Sequence, residues 1–147
     1  KIAYHALKNN LVKELKNNDE IKPEVFFNKD TRFDFLIRKN KQKSFLEVKN
    51  VTLFRNKDTA EFPDAVTDRG SKHLLTLIDA IKKGYKAYLL LLSQIQNMEV
   101  FKIAKDIDPL YYKNFLLAKQ AGVNMLAYRA KISTSKIIVE KKIKIIS

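Results

Sequence analysis

The stretch SFLEVKNVTL, Ser44 to Leu53, decides how this chain is read. It has the apolar, β-branched character of a half-buried strand. Yet it carries Glu47 and Lys49 with only Val48 between them. Strand side chains alternate between faces, so Glu47 and Lys49 point the same way. One explanation is an exposed ion pair on an edge strand, worth at most ~1 kcal/mol. The other is a metal-dependent site that hydrolyses phosphodiesters.

The residues just upstream bear on that choice. RFDFLIR, Arg32 to Arg38, alternates as a strand, with Phe33, Phe35 and Ile37 expected on one side. Asn40-Lys41 offers a turn into the Ser44 strand. An antiparallel pair would bring Asp34 and Glu47 within one metal ion's reach. Two carboxylates are the hard oxygen ligands that Mg²⁺ or Mn²⁺ prefers. A lysine beside them can meet charge developing on phosphate, and the ion can acidify water and clamp phosphate oxygens. Asp34 sits between two phenylalanines, where a carboxylate must find a partner or stay exposed. An acid-x-lysine triplet alone is a weak signal in a lysine-rich chain. The order helix, acid, acid-x-lysine, helix is more demanding.

Further out, Ala3 to Lys16 reads as an amphipathic helix with Ala3, Leu7, Leu11 and Leu15 in one stripe. Asn17-Asn18-Asp19 closes it and Pro23 blocks its extension. Val25 to Asn28 is a short strand candidate, and Arg55 to Pro63 reads as a polar loop. A helix is expected from about Asp68 or Ser71 to Lys83, with Leu74, Leu77, Ile78 and Ile81 inward and Gly84 as its C-cap. Lys86 to Leu92 and Val100 to Ile103 read as strands. Asp108-Pro109 opens a helix that ends at Ala121, before Gly122. Val123 to Ile132 and Lys136 to Ile146 close the chain as strands. With no repeat, linker or internal boundary, residues 1–147 form a single domain: a mixed α/β fold whose central sheet is flanked by helices.

Composition narrows the function classes. The net charge is +13, from 29 Lys+Arg against 16 Asp+Glu. That excess favours a polyanionic partner, nucleic acid first. The lysines are spread along the chain, without the compact basic amphipathic helix of a membrane-surface protein. No run approaches a membrane span, and no signal peptide is visible. Cysteine is absent, which excludes disulfides and thiolate metal sites and fits a cytoplasmic setting. Three glycines cannot build a phosphate loop, and two histidines give neither zinc spacing nor a Ser-His-Asp arrangement. The start at Lys1, directly in helical pattern, suggests a missing upstream region.

The segments RFDFLI, FLEVKNVTL, FPDAVTDRGSKHL, IDP and AGVNMLAY, taken in order from Arg32 to Tyr128, resemble the sugar fermentation stimulation protein family, SfsA. The resemblance implies a C-terminal nuclease-like core of the PD-(D/E)XK, restriction-endonuclease type, and DNA binding linked to maltose metabolism genes. It also implies an N-terminal OB-fold-like domain that this chain lacks. By motif position, Asp34, Glu47 and Lys49 would be the catalytic triad. Asp34, Glu47 and the Val48 carbonyl would hold Mg²⁺ or Mn²⁺. Arg69, Lys72 and His73, at the start of the second helix, would be auxiliary nucleic-acid contacts. From the residues alone, Lys72 reads equally as a solvated helix residue. His73, next to Leu74 and Leu75, reads as a base, a phosphate contact or a partly buried structural residue. Tyr111, Tyr112 and Tyr128 read as core packing ahead of base stacking. The chain departs from the family pattern at His5, where the first helix often carries a glutamate; Glu14 lies more than two turns further on. Two functions follow: a metal-dependent nuclease on DNA, or a DNA-binding regulator that does not cleave.

Overall fold

The computed structural model describes residues 2–132 and 137–147. Its centre is β6 (Lys86–Ser93), the KAYLLLLS run, buried along almost its whole length. Alternation sends Leu89 and Leu91 into one core cluster and Leu90 and Leu92 into the other. A strand apolar on both faces belongs in the middle of a covered sheet. It does so here, parallel to β3 (Gln42–Asn50) on one side and to β8 (Asn124–Ile132) on the other.

The sheet extends antiparallel at both ends. Beyond β3 come β2 (Arg32–Lys39) and the edge strand β1 (Glu20–Phe26), and beyond β8 comes β9 (Ile137–Lys142). It is therefore a mixed, six-stranded sheet. The β2–β3 hairpin turns at Asn40 and Lys41, with φ of 50° and 69°, the pair of left-handed residues that a two-residue hairpin turn needs. Helix α1 (Ile2–Lys8) packs over one face of the sheet. Helices α2 (Asp68–Lys82) and α3 (Pro109–Ala121) pack over the other. No described helix is long and apolar enough to cross a membrane.

Five sequence expectations change. The short strand expected over Val25 to Asn28 begins earlier, at Glu20, and ends at Phe26. The first helix ends at Lys8 rather than Lys16: Asn10 takes φ 58° and the Asn9 side chain bonds back to the His5 carbonyl. Asparagine tolerates the left-handed region and competes for helical carbonyls. The Lys13–Leu15 turn that follows still buries Leu15. The presumed loop at 55–63 instead holds β4 (Leu53–Asn56) and β5 (Thr59–Phe62). With β7 (Val100–Ile103) and β10 (Lys144–Ile146) they make a second, four-stranded sheet. Strands of four residues carry little period-2 signal.

The closing segment is two strands in different sheets, divided at buried Ile143; Lys136, its expected start, lies outside the described residues. Lastly, Phe33 does not share a face with Phe35 and Ile37. It packs with the α2–α3 cluster while they pack with the α1 cluster. The alternation breaks at Asp34, opposite Glu24 of the edge strand, which has φ 52°.

Candidate metal and phosphate site

The β2–β3 register pairs Phe35 with Leu46 and Leu36 with Phe45. The paired register stops there, and beyond it the Asp34 carboxyl lies close enough to Glu47 to feel its charge. The Asp34 carboxylate accepts a 2.7 Å hydrogen bond from the Val48 backbone N–H. In an extended strand a residue's N–H and C=O leave from the same edge, so the Val48 carbonyl also faces the Asp34 side. Asp34 and Val48 lie on the wall of a cleft of about 690 Å³ that also touches Ala3, Pro23, Phe35 and Asn50.

Glu47 is 3% exposed, a carboxylate held inside the fold. Its Oε2 accepts from Lys49 Nζ at 3.1 Å and from His73 Nδ1 at 2.5 Å. Lys49 Nζ and His73 Nδ1 are 3.3 Å apart. Its other oxygen, Oε1, is buried without a hydrogen-bond partner. Burial pushes the Glu47 carboxyl up, but His73 and Lys49 together outweigh it and hold the group below its usual value. Asp34 goes the other way, to about 6. Burial raises it most and the neighbouring Glu47 charge adds to that, while the Val48 N–H opposes. Like charges so close resist joint ionisation, and a cation held between the two carboxyls would relieve that repulsion.

The structure thus brings Asp34, Glu47, Val48 and Lys49 together. It also buries His73 and bonds it to Glu47, the partly buried placement that the sequence offered beside the base and phosphate-contact readings, while Arg69 and Lys72 stay exposed. The signal was present, since Gly70, His73, Leu74 and Leu77 form the inward stripe of α2. Helix α2 is set by Thr67, whose side chain caps the Gly70 N–H. Asp108, the N-cap of α3, accepts from Thr67 N–H and from Tyr111 N–H and so ties the two helix starts together. Gly70 is needed there, because a Cβ would meet the Thr67 side chain at 2.8 Å and the Tyr111 ring at 3.2 Å.

Tyr111 and Tyr128 are core residues, 0% and 4% exposed. Tyr128 donates its hydroxyl to Glu14 at 2.5 Å, and Lys142 bonds the same carboxylate. Glu14 is therefore engaged across the sheet rather than turned to the Asp34 cleft.

The donor set suits a hard divalent cation: two carboxylates and a backbone carbonyl, with a buried oxygen that has nothing to bond. Among the described residues no three His, Cys, Asp or Glu side chains converge as a ready ligand shell. Water would complete the coordination, the usual state of Mg²⁺ in proteins.

The family model described as "Sugar fermentation stimulation protein RE domain" matches residues 1–136. A sugar fermentation stimulation protein homolog of Pelagibacter ubique is 70% identical over 147 residues, covering 100% of this chain and 63% of that protein. The homolog of Alkaliphilus oremlandii is 38% identical over 146 residues, covering 97% and 62%. The solved structure of Pyrococcus furiosus SfsA in complex with Ca²⁺ superposes with a TM-score of 0.89 at 28% identity. It covers 99% of this chain and 63% of that one, so the chain spans under two thirds of these relatives' length.

Proposed function

The chain belongs to the sugar fermentation stimulation protein family, and from that premise we propose that it is a restriction-endonuclease-like, PD-(D/E)XK core that hydrolyses phosphodiester bonds in cytoplasmic DNA with Mg²⁺ or Mn²⁺. The observation that carries this reading is the meeting of Asp34 with Glu47, one of whose oxygens is buried and unpartnered, next to Lys49. A protein that only grips a polyanion gains nothing from two carboxylates facing it. With a cation between them and the phosphate, they become useful. The Ca²⁺ in the Pyrococcus relative, another hard divalent ion, is consistent with that donor chemistry.

Each residue has a task. Asp34, Glu47 and the Val48 carbonyl would hold the ion. The ion, when bound, supplies Lewis acidity and an acidified water at neutral pH. Lys49, only 16% exposed and anchored on Glu47, presents a fixed positive charge to the phosphoryl oxygens as negative charge builds on them. His73 holds Glu47 Oε2 and so leaves Oε1 available to an ion. Arg69 and Lys72, exposed on the first turns of α2, take flanking phosphates. Such contacts give affinity and register but not sequence choice.

One observation favours the second reading, a DNA-binding regulator of sugar metabolism genes that does not cleave. Glu47 Oε2 is already engaged by Lys49 Nζ and His73 Nδ1, which stabilises the site without metal. Labelled DNA incubated with Mn²⁺ and the full-length protein separates the two, with Lys49→Ala alongside. Cleavage by wild type alone supports hydrolysis. Equal gel retardation by both proteins, with intact DNA, supports the regulator.

A further inference from the structure

Resting on the nucleic-acid reading above, we propose that the cleft between the end of β1 and the start of α2 binds single-stranded nucleic acid, with Phe26 as the platform on which an unpaired base stacks. Phe26 ends the edge strand β1 and is 65% exposed, the most open aromatic ring described. A ring that large, left in water at a strand end, forfeits burial that every other phenylalanine of the strand pair obtains. It is also not isolated. The Arg32 guanidinium lies 5.7 Å from the ring centroid, on the residue paired with it across the hairpin.

Together with Arg69, Lys72, Asp30 and Asp68, these two residues line a cavity of about 600 Å³. Its inner wall is His73, whose ring nitrogen bonds Glu47. The cavity therefore abuts the acid–lysine site through one side chain. Among the described residues neither Arg69 nor Lys72 forms an ion pair; Lys72 reaches only the Asp30 carbonyl, at 3.4 Å. Asp30 and Asp68 oppose the three cations in part, and Glu24 holds Arg32 at 3.5 Å. The three carboxylates match the three cations in number, but Arg69 and Lys72 are held by no ion pair among the described residues and sit next to an open aromatic face. That combination recognises a flexible strand: cations take the phosphates and the ring takes a base. A continuous duplex offers no free base face, because each base is already stacked on both sides. The cleft thus gives the site a preference for unpaired nucleotides beside the phosphate at Lys49.

Fluorescence tests this on the full-length protein, in EDTA so that no cleavage intervenes. The 147-residue sequence holds no tryptophan, so a Phe26→Trp variant, read against the parent's emission, reports the platform directly. Titration with a thymidine oligonucleotide should quench that emission, and a hairpin-closed duplex should not. In a gel assay, Phe26→Ala should weaken single-strand binding roughly ten- to hundredfold and leave duplex binding within about twofold. Quenching by both forms alike, or by neither while duplex binding persists, overturns the inference and spares the nucleic-acid reading. Equal loss of both forms in Phe26→Ala, as when another part of the protein covers the ring, also overturns it. Absence of binding to either form by wild type sinks the nucleic-acid reading itself.

Discussion

Two ionic clusters stand on the two sheets, and they are built to opposite standards. On the small sheet, Arg55 bonds Glu61 at 2.9 and 2.7 Å and Asp106 at 2.7 and 2.9 Å, two parallel contacts to each carboxylate. Glu61 is 1% exposed, yet both its oxygens are satisfied. Hydrogen bonding to Arg55 draws the Asp106 carboxyl down to about 2, and the two acids push the Arg55 guanidinium up. On the large sheet, Glu47 keeps a buried oxygen without a partner, and its neighbour Asp34 is pushed up rather than down. Forked Arg–carboxylate geometry closes every valence. A lysine point charge and an imidazole crowded on one oxygen leave the other open. The first cluster satisfies every carboxylate oxygen; the second leaves one open.

The widest consequence of that difference is chemical. Lys49→Ala should lower Mn²⁺-dependent cleavage by roughly 10²–10³-fold, the usual loss when one charge-stabilising group is removed. Glu47→Ala should abolish the heat of Mn²⁺ binding in a calorimetric titration. Heats equal to wild type would erase the contrast between the clusters. Arg55→Met should do the reverse. It strands the buried Glu61 charge, so thermal unfolding should fall by several degrees while Mn²⁺ heats stay unchanged. A metal defect in Arg55→Met would show that the clusters are one site.

A smaller effect concerns Asp34 and has a definite sign. Its carboxyl titrates near 3.8 unfolded and about 6 folded. A raised carboxyl costs stability where it is ionised. The cost is therefore fully present above about pH 6 and disappears as pH falls below the unfolded value. Asp34→Asn keeps an acceptor for the Val48 N–H and removes the charge. In EDTA near pH 8 it should stabilise the fold by ~1–3 kcal/mol, the lower end allowing for solvent around a half-buried group. Near pH 3.5 the gain should vanish. With Mn²⁺ present the order should reverse, because wild type alone binds the ion. A gain that persists in acid would mean the Asp34 charge is not its source.

How much of this was legible depends on where the physics is local. Leu89 to Leu92 announced a buried strand, and Asp108-Pro109 with Gly122 announced the α3 helix, because burial pattern and capping act within a few residues. Asp34, Glu47 and Lys49 could be placed on one hairpin because Asn40-Lys41 fixed its turn. The second sheet was not legible. Leu53–Asn56 pairs with its neighbour Thr59–Phe62, but Val100–Ile103 joins Thr59–Phe62 and Lys144–Ile146 joins Val100–Ile103, and no local pattern encodes partners so far away. The same holds for His73, whose bond to Glu47 spans 26 positions, although its helical stripe pointed inward. Asp34 shows a third limit. Alternation put Phe33 with Phe35, and the structure separates them at the one residue the site needs.

The smallest predicted effect tests whether forked geometry, rather than charge alone, makes the Arg55 cluster structural. Arg32 and Glu24 have the same charges at 3.5 Å, but their side chains are 49% and 67% exposed and meet through a single nitrogen. Such a pair exchanges hydration for a screened contact and contributes ~0–1 kcal/mol. Glu24 also holds φ 52°, so the substitution must leave the backbone preference nearly alone; glutamine does. Glu24→Gln should shift thermal unfolding by no more than about 4 °C, against several degrees for Arg55→Met. It also frees Arg32 from its acid while leaving the Phe26 ring in place. Single-strand affinity should therefore rise slightly, and its salt dependence steepen by about one phosphate contact. A stability loss as large as that of Arg55→Met would mean that an exposed, single-contact pair holds this fold as firmly as a buried fork. The contrast between the two sheets would then rest on something other than how their charges are satisfied.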